Sequence, residues 1–122
     1  MRVEGPEPVT DESVRAYVDA LAPDGRLLFD RFHALVLAEH PDARVTWSYK
    51  MPTYVVGERR LHVAVWKHGL SVYGWDADRD GGFCARHPHL CGDRGTLKLP
   101  HAEAAAIPDD HLRDLVRAVF AP

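Results

Sequence analysis

The sequence predicts an α+β fold: a small antiparallel β-sheet of about five strands, with two N-terminal helices and one C-terminal helix packed on one face. Three observations carry this. Apolar residues recur at helical spacing before residue 41 and again after residue 108, while between residues 45 and 73 they recur every second residue. The alternating runs are short and separated by turn residues, the pattern of a meander rather than of βαβ units. A chain of 122 residues fits one domain, so helices and strands share a single core over 1–122.

Residues 1–9 hold Gly5, Pro6 and Pro8 among acidic side chains and read as a loose N-terminal arm. Thr10 is the expected N-cap of the first helix, with Asp11 and Glu12 where the helix dipole favours negative charge. Val14, Tyr17, Val18 and Leu21 form its apolar stripe. Pro23 closes that helix and opens the next, in which Leu28, Phe32, Leu35 and Val36 share a face. Pro41 disfavours helical geometry at His40 and sets the end.

Val45, Trp47 and Tyr49 then alternate with Thr46, Ser48 and Lys50, as in a half-buried strand. Pro52 cannot donate to a ladder and is expected at a strand end or edge. Residues 53–56, 61–66 and 70–73 are the next three strands, with turns at 57–60 and 67–69. Residues 76–95 are polar, glycine-rich and without period, an irregular loop region of a length that is often functional. Residues 96–99 form the last strand, and Pro108 opens a helix with Leu112, Leu115, Val116 and Val119 facing inward.

Composition narrows the function classes. At 46% hydrophobic and 27% charged residues the chain is globular. No apolar run approaches the roughly 20 residues of a membrane span, and no signal peptide is evident, so a cytoplasmic location is expected. Net charge is −3 and the basic residues are scattered, with Arg59-Arg60 the one adjacent pair, which argues against nucleic acid as partner.

Three segments carry a resemblance. Trp47-Ser48-Tyr49-Lys50-Met51-Pro52-Thr53-Tyr54 resembles the W-x-x-x-M-P-T-[FY] signature of the YdhG-like family, a domain of unknown function. Residues 61–73 look like its central hairpin, and Gly95-Thr96-Leu97-Lys98-Leu99-Pro100 looks like its G-T-L-[RK]-[FL]-P strand. The resemblance spans roughly residues 11–120. It implies an α+β fold, and, because some members are described as frataxin-like intracellular iron chaperones, it implies metal chaperoning with iron first.

Two constellations are candidate sites. Trp47, Ser48, Lys50, Met51, Pro52, Thr53, Tyr54, His62 and Trp66 could line a concave apolar pocket on the sheet, with the hydroxyls, Lys50 and His62 as its few polar groups. The bland alternative makes Trp47, Met51 and Tyr54 core and the rest half-covered surface. The second is Cys84, His87, His89 and Cys91, two thiols and two imidazoles within eight residues, a donor set suited to Zn(II). The same segment reads as an exposed loop with free thiols, the expectation in a reducing cytoplasm, or as a disulfide.

An Fe(II) site for hand-over would draw on oxygen and imidazole ligands instead, with Asp11, Glu12 and Asp19, or His33, Glu39 and His40, as candidates. No nucleophile–base–orienter set or cofactor fingerprint occurs, so a non-enzymatic role is expected. The readings that remain are an iron or zinc chaperone, a small-molecule or peptide-binding module, and a protein-interaction domain without ligand. A homodimer through exposed sheet edges is also expected to be open to so small a sheet.

Overall fold

The computed structural model describes residues 11–75, 78–92 and 96–121. It shows an α+β architecture with one five-stranded antiparallel sheet in the order β1-β2-β3-β4-β5. The strands are β1 Arg44–Ser48, β2 Met51–Val56, β3 Arg59–Trp66, β4 Gly69–Tyr73 and β5 Thr96–Pro100. The long helices are α1 Glu12–Asp19, α2 Pro23–Glu39 and α5 Asp109–Phe120; short helical turns α3 Phe83–Arg86 and α4 His101–Ala104 lie on either side of β5.

Local chemistry explains the element ends. Asp11 caps α1, its Oδ1 accepting from the N–H groups of Ser13 at 2.9 Å and Val14 at 3.1 Å. Thr10, the cap expected from sequence, lies outside the described residues. Pro23 sits in the first turn of α2, and His40 leaves helical geometry at φ −135°, as the proline that follows requires. Between α4 and α5 the chain turns a corner whose carbonyls are held by Arg31. Its guanidinium donates to Ala104 O at 2.9 Å, to Ile107 O at 2.6 Å and to Asp109 Oδ1 at 2.8 Å.

Alternation divides the sheet into two faces. Tyr54, Leu61, Val63, Leu70, Val72, Leu97 and Leu99 are buried, and with Phe29, Phe32, Leu112, Leu115 and Val116 of the helices they make the core. The other face carries Thr46, Thr53, Arg60, His62, Ala64, Trp66, Ser71 and Lys98, as the pairings Thr46↔Thr53, Thr53↔His62 and Ala64↔Ser71 require. No strand residue of the sheet is an Asp or Glu.

Pro52 is the second residue of β2 and pairs with Trp47 of β1. The β2–β3 ladder begins only at Thr53↔His62, so β3 runs on past it with one edge open. There the hydroxyl of Tyr17, from α1, accepts from Val65 N at 2.8 Å and donates to Val65 O at 3.3 Å. In this register Val65 lies opposite Lys50 of the β1–β2 turn, beyond the start of β2, and a side chain from α1 satisfies the backbone groups that the strand does not reach.

The β1–β2 connection is a two-residue turn in which Tyr49 has φ 53° and Lys50 φ 60°. Positive φ at both positions is what a I′ hairpin needs, and Asn-Gly is its usual filling. A β-carbon-bearing pair is strained here by about 1–3 kcal/mol per residue. Alternation in the sequence extends the strand through Lys50; the turn takes Tyr49 and Lys50 instead.

The segment 76–95, expected to be irregular, contains α3 and a 3₁₀ turn at Pro88–Leu90, with Phe83 and Leu90 buried in the core. No helix among the described residues is long and apolar enough to cross a membrane.

Candidate functional site

The nine residues of the proposed aromatic pocket do not stay together. Trp47, Pro52 and Tyr54 share the helix-facing side, where Trp47 packs against the Tyr17 ring at 5.7 Å. Tyr54 is fully buried, its hydroxyl 2.9 Å from His33 Nδ1, and burial raises its pKa. Trp66 is near the far end of β3, beside His68 and with the Lys98 ammonium 5.8 Å from its ring centre. It lines a cleft of about 300 Å³ with Leu21, Gly25, Val65 and His101.

What remains on the outer face is a compact polar group around His62. Its Nδ1 lies 2.7 Å from Thr53 Oγ1, and that oxygen is 3.3 Å from the Met51 carbonyl. A hydroxyl has one proton, and the carbonyl can only accept. With its proton on Met51 O, Thr53 accepts from His62 Nδ1–H, an arrangement that leaves Nε2 as the nitrogen without a proton in the neutral ring. Burial, then the Arg60 guanidinium, hold the His62 pKa below its usual value.

Three further residues complete the site. Tyr49, 79% exposed, is projected by the strained turn and meets His62 edge-on at 5.3 Å between ring centres. Gly74 has φ 88°, and a Cβ there would lie 2.9 Å from His62 Cδ2 and 3.6 Å from Nε2. Its missing side chain leaves that edge of the imidazole open. The third is Trp75.

A cleft of about 350 Å³ runs through this region, lined by Glu58, Arg59, Arg60, His62, Gly74, Trp75, Arg79 and Val119. That is the lower end of the range of small-molecule sites. Arg60 and Gly74 escaped the sequence reading, which assigned Arg60 to a turn and gave Gly74 no role. The period of two, extended from Thr53 and His62 to Arg60, was the signal available for the first.

The second constellation closes on itself. Cys84 and Cys91 are joined in a disulfide, with Cα atoms 5.8 Å apart. This corrects the expectation of free thiols in an exposed loop: one turn of α3 followed by the 3₁₀ turn brings the two sulfurs together. A closed bridge belongs to non-reducing surroundings, where a reducing cytoplasm would favour thiols.

The two imidazoles of this segment leave in different directions. His87 Nε2 lies 2.9 Å from His111 Nδ1 on α5, and His89 pairs with Glu103 on α4. Burial, followed by His111 and His89, lowers the His87 pKa. The four residues thus do not converge on one point.

The carboxylate candidates also have other partners or places. Asp11 caps α1, Asp19 lies 3.5 Å from Arg26, and Glu39 pairs with Arg117. His40 stacks edge-on against Phe120 at 5.2 Å, away from the His33–Tyr54 pair. Among the described residues no group of three or more His, Cys, Asp or Glu is placed to hold a metal ion.

Compared with family models, curated proteins and solved structures, the chain matches none.

Proposed function

We propose that this chain is a small-molecule-binding module, and that its site is the cleft between the β2–β3 turn, the exit of β4 and the last turn of α5. One observation carries the reading. His62 is fixed in orientation by the Thr53–Met51 relay while its other edge is left bare beside a glycine. A preset polar group in a concave site is what fixes a ligand's orientation. The strain of the Tyr49-Lys50 turn supports the same place, since sparsely populated backbone persists where function requires it. The stretch that resembles the YdhG-like signature supplies both Thr53 and the Tyr49 that covers His62.

The iron-chaperone role that the resemblance implies would need carboxylate and imidazole ligands converging on one point, and among the described residues the cleft offers one histidine and one carboxylate, Glu58. Ligand binding therefore fits this site better than metal delivery. A thermal-shift screen of polar small molecules on wild type and on His62→Phe tests it. Hits that raise the wild-type Tm and lose their effect in the variant are expected. Hits that act equally on both proteins would move the site elsewhere.

A further inference from the structure

We propose that the ligand of this cleft carries an oxyanion, a carboxylate or a phosphate, held by Arg60 and His62 beside Trp75. The inference rests on the cleft being the binding site and adds the class of its ligand.

Charge is the first ground. The chain as a whole is at −3, yet the strands contain Arg44, Arg59, Arg60 and Lys98 and no acid. The cleft wall itself carries Arg59, Arg60 and Arg79 beside Glu58. The Arg60 guanidinium is exposed and makes no hydrogen bond or ion pair among the described residues, and it lies close enough to His62 to disfavour its protonation. The acid on the cleft wall, Glu58, is an exposed turn residue.

The donor inventory is the second ground. Trp75 is only 5% exposed, and its Nε1 is buried without an acceptor among the described residues. A buried donor left unpaired costs about 1–3 kcal/mol, so such a group calls for a partner. Indole N–H and guanidinium groups donate and never accept. Acceptors with several lone pairs, which is to say oxyanions, suit a wall of this kind.

The tautomer of His62 is the third. With Nδ1–H given to Thr53, Nε2 is an acceptor in the neutral ring and a donor once protonated. An anion at this edge stabilises the imidazolium, so His62 Nε2 takes up a proton from solvent as the anion binds. The Gly74 backbone leaves the approach to Nε2 clear.

The test is a solution NMR titration of the whole chain with benzoate and with inorganic phosphate, against benzamide as the neutral counterpart of benzoate. Expected are shifts of the Gly74 amide and Trp75 indole resonances, a rise in the His62 titration midpoint, and tighter binding at pH 5.5 than at pH 7.5. Arg60→Gln should weaken the anion about tenfold or more, the loss of one charge-assisted hydrogen bond. Glu58→Gln should strengthen it. Response to benzoate alone identifies a carboxylate ligand, and to phosphate alone a phosphate. Benzamide binding at the same resonances as tightly as benzoate would overturn the oxyanion while leaving the cleft as the site. No shift at these resonances with either anion, beside a neutral or cationic hit that maps there, would also overturn it. Silence of the cleft toward every class of probe would remove both readings.

Discussion

Thr53 and His62 face each other across β2 and β3, with Oγ1 and Nδ1 2.7 Å apart. Thr53 is fully buried, so its hydroxyl finds its hydrogen-bond partners inside the protein. It gives the proton to Met51 O and the lone pair to His62, and in doing so decides which imidazole nitrogen reaches the cleft.

Thr53→Val keeps the shape of this residue and removes the relay. The fold should survive with a loss of about 1 kcal/mol, the ordinary net value of a hydrogen bond. The His62 ring should then populate both tautomers, read from its nitrogen chemical shifts, and ligand affinity should fall with it. An unchanged single tautomer would show that another group holds the ring.

The Tyr49-Lys50 turn sets stability against binding. Replacing it by Asn-Gly (Tyr49→Asn with Lys50→Gly) relieves two positive-φ positions and should raise stability by about 1–3 kcal/mol in denaturant unfolding. The same change removes the ring lying on His62, so ligand affinity should drop. A variant that is more stable and binds equally well would make the strain irrelevant to the cleft.

Acid should destabilise the protein in a defined window. His33 and His62 both have pKa values lowered chiefly by burial. An unfolded histidine titrates near about 6.5, so below that pH the unfolded state binds more protons than the native state. The histidine contribution is fully present above the unfolded value and is lost as pH falls through the lowered native values. Denaturant unfolding at pH 7.5 and pH 5 should show the decline, and His33→Gln should make it shallower. Stability that is flat or rises on acidification would contradict the burial of His33 beside Tyr54.

The disulfide closes a short loop, and the chain-entropy model assigns such a bridge about 2–3 kcal/mol. Reductant should lower the wild-type Tm, and Cys84→Ser with Cys91→Ser should start from the lower value and ignore reductant. Equal Tm values with and without reductant in the wild type would mean the bridge adds no stability.

Much of the fold was legible because burial writes a period. Val63 and Val65 alternate with His62 and Ala64, and Leu112, Leu115, Val116 and Val119 recur at helical spacing; the structure puts the elements there. The site was less legible because sequence neighbours on a strand point to opposite faces. Thr53 and Tyr54 looked like one pocket, yet one faces His62 and the other His33.

The missing half of the site depends on register. Pairing brings Thr53 against His62, and the stretch after Tyr73, which has no period, contributes Gly74 and Trp75. The cysteine segment failed to declare itself for a related reason. A seven-residue separation fits a loop, a ligand set or a bridge, and only the helical turn followed by a 3₁₀ turn brings the Cα atoms to 5.8 Å.

Whether the cleft takes a ligand at all is tested most directly by mapping amide and indole shifts for the best hit of the thermal-shift screen. Binding at this site predicts changes confined to residues 58–62 and 74–75 and to the Trp75 indole, abolished by His62→Phe. Changes centred instead on Trp66 and His101, or spread across the helices with His62 unaffected, would contradict it.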